Sequence, residues 1–142
     1  MPRPGMLALS LVAMALACSD STNSQCACTE EFRTFTLTVL DDAMQPAPNV
    51  TLVRTNLRTG KVLEPGWLGL LVAGTYLVAD DGLVDEFSSA GDTVRVVGTQ
   101  GGVSFTADFV FAAPAPCRCH VELLAGPDTV IIGEQPPLTV GR

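Results

Sequence analysis

Two stretches of the chain alternate between apolar and polar residues, and this alternation restricts the fold more than any other feature. In residues 32–40 (FRTFTLTVL), Phe35, Leu37 and Val39 fall on one side and three threonines on the other. Residues 103–111 (VSFTADFVF) repeat the pattern, with phenylalanine and alanine on the apolar side. Successive side chains of a strand point to opposite faces, so each stretch predicts a β-strand with one buried face.

Other strand-like segments lie between turn signals rich in Gly, Pro and Asp. They occupy residues 50–55, 75–81, 92–100, 118–124 and 128–132, with 61–63 as a short return strand. Residues 67–73 fit a strand or a buried loop, residues 82–91 predict an irregular acidic connection, and Gly101-Gly102 predicts a hairpin turn. Because no stretch after Cys18 keeps a helical period, seven or eight short strands predict an all-β fold, a small antiparallel β-sandwich. A small β-barrel is the alternative.

The start of the chain differs from the rest. Arg3 precedes an apolar-dominated run at residues 6–17 (MLALSLVAMALA), which ends at Cys18 and a polar stretch. A positive start, an apolar run and small residues before the cut describe a secretory signal peptide. The run is too short to span a bilayer, which takes about 20 apolar residues.

The segment MALAC at residues 14–18 resembles the lipobox of bacterial lipoproteins, whose cysteine is lipidated and becomes the mature N-terminus. The resemblance implies a signal peptide at residues 1–17, lipidation at Cys18 and a polar tether at residues 18–25. The membrane is then a partner through the N-terminal lipid. In such lipoproteins Ser rather than Asp after the cysteine is associated with export, so Ser19 favours the outer membrane or cell surface. An ordinary signal peptide, cut without lipidation, is the alternative.

The remaining four cysteines form two C-x-C pairs. Residues i and i+2 of a strand share a face, so two such segments side by side can form two parallel bridges. Bridges within a pair are disfavoured by disulfide geometry. We therefore expect the first pair to bond to the second, with the connectivity left open: Cys26, Cys28, Cys117 and Cys119. Zinc bound by these thiols and His120, in a metal-handling envelope lipoprotein, is the alternative, although an oxidising compartment favours disulfides.

Few other residues suggest chemistry. His120 is the one histidine, and Gly-x-Ser-x-Gly, His-Glu-x-x-His and phosphate-loop motifs are absent from the sequence. We therefore expect no catalysis and no cofactor, and His120 to be a partly exposed strand residue beside a disulfide. Trp67 and Tyr76 could stack on a sugar or pack in the core. One acidic cluster fits either weak calcium binding or a solvated loop: Asp80, Asp81, Asp85 and Glu86.

Several segments resemble the carboxypeptidase regulatory-like domain, a transthyretin-like sandwich of seven strands. They are the strand–turn–strand at residues 36–55 (TLTVLDDAMQPAPNVTLVRT), Gly74-Thr75-Tyr76, Gly91-Asp92-Thr93-Val94 and the phenylalanine-rich strand. The resemblance spans about residues 32–112 and places the domain at residues 26–142. It implies a non-catalytic accessory, carbohydrate-related or adhesive module.

The net charge and the length of the mature chain limit the classes of partner that it can bind. Removing 17 residues from 142 leaves 125, enough for one domain with a core, and losing Arg3 takes the net charge from −7 to −8. This acidic balance disfavours nucleic acid and anionic headgroups. We expect an envelope-tethered binding or structural module for a protein, peptide or glycan. An accessory domain of an envelope enzyme complex is the alternative.

Overall fold

The predicted alternating segments form the strands of a β-sandwich in the structure, a computed structural model that describes residues 26–66 and 71–133. The strands are β1 (Thr34–Leu40), β2 (Thr51–Asn56), β3 (Thr75–Asp80), β4 (Asp92–Gln100), β5 (Val103–Ala112), β6 (Glu122–Ala125) and β7 (Thr129–Ile131). One sheet has the order β3-β1-β7 and the other β2-β4-β5-β6. All strand pairs are antiparallel except β1 with β7, which is parallel. The all-β sandwich predicted from the sequence is confirmed.

Some predictions fall outside the described residues. These are the signal peptide at residues 1–17, lipidation at Cys18, the tether at residues 18–25 and the Trp67 half of the sugar-stacking surface. Within residues 26–66 and 71–133, no helix has the length and apolar character needed to cross a membrane.

Three segments differ from their prediction. Residues 61–63, expected to start a return strand, form only an isolated bridge between Val62 and Thr55. The connection after β3 begins with a 3₁₀ helix at Asp81–Glu86, where an irregular loop was expected. Asp80 caps this helix, because its carboxylate accepts a hydrogen bond from the Gly82 N–H. The strand predicted from residue 118 begins only at Glu122, because Arg118 has a φ of 50° and the Val121 N–H donates to a side chain outside the sheet.

Aromatic rings fill the space between the sheets. The inward residues of β5 are buried as the alternation predicts, and Phe109 and Phe111 are 2% and 0% exposed. The Phe111 ring centre lies 5.4 Å from those of Phe35 and Phe87 and 6.0 Å from that of Phe109. Phe111 therefore joins both sheets and the loop after the 3₁₀ helix in one cluster.

The side of the sandwich between β2 and β3 is closed by side-chain hydrogen bonds. Arg54 of β2 donates from Nε to the Leu77 carbonyl of β3 at 2.9 Å. The Tyr76 hydroxyl donates to the Ala47 carbonyl at 2.6 Å and accepts from the Val50 N–H at 3.0 Å. The turn before β2 is thereby fixed to β3, and Tyr76 has a structural role here.

A buried polar cluster fixes the start of β4. Asp92 accepts two hydrogen bonds from Arg58, at 2.6 and 2.8 Å, and two from Ser88, at 3.0 and 2.8 Å. Asn56 donates a further bond at 3.2 Å. The bonds from Arg58, which outweigh the effect of burial, hold the pKa of Asp92 well below its usual range with the help of Ser88 and Asn56.

Replacing Asp92 by Asn should lower the free energy of unfolding by about 2–3 kcal/mol at pH 7, since charge-assisted bonds to a buried acceptor are lost. The depressed pKa of Asp92 stabilises the fold above its unfolded value near 3.9, and this contribution is lost as the pH falls towards the folded value. Urea denaturation at pH 7 and pH 3 should therefore show the difference between the two proteins shrinking by about 1 kcal/mol. An equal difference at both pH values would contradict this assignment.

Candidate functional site

Two disulfides join the N-terminal segment to the loop before β6. Cys26 bonds to Cys117 and Cys28 to Cys119, with Cα–Cα distances of 5.3 and 5.4 Å. Both bridges span 91 residues, so the two C-x-C segments lie in register. The predicted pairing between the two pairs is confirmed, and the structure supplies the connectivity. The four cysteines among the described residues are all oxidised to disulfides, so none of them offers a free thiol to a metal ion.

A chain of hydrogen-bonded side chains continues from the disulfides. We call Thr29, His120 and Asp81 the hydroxyl–imidazole–carboxylate chain. The Thr29 hydroxyl lies 2.8 Å from Nε2 of His120, and Nδ1 of His120 lies 2.7 Å from Oδ2 of Asp81. His120 is 13% exposed and the Asp81 side chain 7%. His120 therefore lies beside a disulfide as expected, but it is oriented by partners that the sequence did not suggest.

Asp81 is held by the backbone on both sides. Oδ2 accepts a hydrogen bond from the Arg33 N–H at 2.8 Å, and Oδ1 accepts one from the Val121 N–H at 2.7 Å. Burial raises the pKa of Asp81, but the bonds from these two amides and from His120 outweigh it and lower the pKa below its ordinary value. Asp81 is thus placed to accept the Nδ1 proton of His120, and in the neutral imidazole that carries this proton Nε2 is left to accept the Thr29 hydroxyl proton.

The four acidic residues singled out in the sequence do not converge. Asp80 is buried at the N-cap of the 3₁₀ helix, and Asp85 is exposed. Asp81 belongs to the hydroxyl–imidazole–carboxylate chain. Glu86 forms an ion pair with Lys61. Over residues 26–66 and 71–133, no group of three His, Cys, Asp or Glu side chains could hold a metal ion.

An open cavity of about 180 Å³ lies next to His120. Its wall is formed by Arg33, Glu122 and the loop from Pro114 to Cys119. The Arg33 guanidinium lies 3.8 Å from Glu31 and 3.9 Å from Glu122, beyond hydrogen-bond distance. Arg33 thus forms long ion pairs with both carboxylates and donates a hydrogen bond to neither.

Sequence reasoning missed Thr29 and Asp81 as partners of His120. Thr29 follows Cys28 directly, and His120 follows Cys119, so the bridge between the two cysteines brings the next residues together. The C-x-C register was therefore a signal that could have identified Thr29. Asp81 has no comparable signal, because it reaches the site through the pairing of β3 with β1.

No family model matches the chain, and no curated protein and no solved structure match it either. The function is therefore inferred from the geometry of the site.

Proposed function

We propose that the chain is a cell-envelope lipoprotein that presents a carboxypeptidase regulatory-like sandwich as a binding or structural module. Cys18 would carry the lipid. The observation that supports this is the pair of disulfides that starts eight residues after Cys18. A short tether followed by a covalent bridge would keep the folded domain near its lipid anchor.

Distances along the chain fit this arrangement. Eight extended residues reach about 25–30 Å, from about 3.3–3.6 Å per residue. The sandwich would therefore stay close to the lipid surface, in an oxidising compartment where both disulfides persist. Two or three acyl chains on one cysteine would make the anchoring stable.

The exposed edge of the four-stranded sheet supports a binding role. Every residue of β6 is exposed, including Leu123 and Leu124, which are 36% and 54% exposed. The opposite side of the sandwich, in contrast, is closed by Arg54 and Tyr76. Edge strands and loops are where extended peptides and other partners dock, so an envelope protein, peptide or glycan would meet the domain at β6.

Expression of the full chain in a bacterial host tests the anchor. The wild-type protein should partition with membranes, and its mature N-terminal peptide should begin at Cys18 with a diacylglyceryl mass. Cys18→Ala should lose the lipid and the membrane partitioning, because no thiol remains to accept the diacylglyceryl group. Ser19→Ala is the matched control and should still be lipidated. A wild-type chain cut near Ala17 without lipid would overturn the proposal.

A further inference from the structure

We propose that Thr29 is an activated nucleophile for acyl transfer, with His120 as general base and Asp81 as the group that orients it. This activity goes beyond the display role above and runs against the sequence-based expectation of no catalysis. It depends on neither lipidation nor a partner.

Three observations carry the proposal. A nucleophile, a base and an orienting carboxylate lie in hydrogen-bond contact in that order, with distances of 2.8 and 2.7 Å. The carboxylate is buried and fixed by two backbone N–H groups, so the imidazole is held in one orientation and one tautomer. Thr29 itself is exposed, so a substrate can approach its hydroxyl from solvent.

The reaction is ester hydrolysis with water as the second reactant. Thr29 Oγ bonds to the ester carbonyl carbon while its proton passes to Nε2 of His120, and the carbonyl electron pair moves to oxygen. The ester C–O bond then breaks, and the leaving alkoxide takes the proton from Nε2. Water repeats these steps on the acyl-threonine, which releases a carboxylic acid and restores the Thr29 hydroxyl.

A small cavity adjoins His120, the general base. His120 and Arg33 line it but Thr29 does not, and its volume of about 180 Å³ is below the roughly 300–1,000 Å³ of sites for drug-sized ligands, so it fits only a small substrate group placed next to the base. Arg33 lines this cavity, and its guanidinium forms long ion pairs with Glu31 and Glu122 that leave its N–H groups unused by these carboxylates as hydrogen-bond donors. We assign Arg33 to stabilise the negative charge that develops on the carbonyl oxygen.

The test uses the full-length chain, purified in detergent with its disulfides intact, and p-nitrophenyl acetate as the probe. The wild type should release nitrophenol with an initial burst, and mass spectrometry of the quenched protein should find one acetyl group on the peptide that contains Thr29. Thr29→Ala should lower the rate at least 100-fold, to the background rate of the reagent. Thr29→Ser should keep both the rate and the label.

Controls separate this site from unspecific reactivity. Thr36→Ala removes an exposed threonine of β1, outside the site, and should leave the rate unchanged. Arg33→Gln should lower the rate about 10–100-fold while the circular dichroism spectrum stays the same. If Thr29→Ala hydrolyses the probe as fast as the wild type, or if the label lies on His120 or a lysine alone, the proposal is overturned and the three residues act only as a structural link.

Discussion

Replacing the four disulfide cysteines by serine should lower the free energy of unfolding by at least about 4–5 kcal/mol. The chain-entropy model assigns this value to a bridge that closes about 90 residues, and each disulfide spans 91. Without the bridges, the unfolded chain regains the freedom of that loop while the sandwich contacts stay the same. Urea denaturation of the oxidised wild type and of the quadruple variant measures the difference.

Removal of one bridge should cost much less. In a double variant of Cys28 and Cys119, the remaining bridge between Cys26 and Cys117 still closes nearly the same loop. The second bridge closes only a further loop of a few residues, for which the same model gives a loss of about 2 kcal/mol. The matched double variant of Cys26 and Cys117 should behave alike. A loss of several kcal/mol from either double variant alone would show that native contacts, rather than loop closure, dominate.

Phe111→Ala should destabilise the fold by about 3–5 kcal/mol, the usual range for removal of a fully buried phenylalanine. Its ring contacts aromatic residues of both sheets and of the intervening loop, so the neighbours cannot all move to fill the space. Thermal and urea denaturation should both report the loss. Phe32→Ala is the matched control: Phe32 is 53% exposed, and the change should stay within about 0.5 kcal/mol. A loss for Phe111→Ala no larger than that of the control would contradict the central role of this ring.

Local patterns predicted most of the sandwich. The alternation at residues 103–111 gave the inward face of β5, and residues 92–100 match β4 in full. The parallel pairing of β1 with β7 was not predictable, because their contact joins residues about 90 positions apart and no turn fixes it. The late start of β6 was missed because an Asp81 carboxylate, rather than a neighbouring strand, takes the Val121 N–H.

Of the candidate site, only the two disulfides were predicted from the sequence. The C-x-C spacing indicated two bridges between the pairs, because residues i and i+2 share a face. The position of Asp81 depends instead on the pairing of β3 with β1, which is continued by a backbone bond between the Asp81 N–H and the Arg33 carbonyl. A side-chain cluster built from three separate segments leaves no periodic trace in the sequence.

The in-register disulfides also decide how the domain bears mechanical load. A pull on the two ends of the chain reaches the sulfur atoms that join Cys26 to Cys117. The 90 residues between these cysteines, which include β1 to β5, form a covalent loop that such a pull cannot unravel. β6 and β7 follow Cys119, so tension from the C-terminal side acts on their pairing with β5 and β1 while the five strands inside the loop stay together.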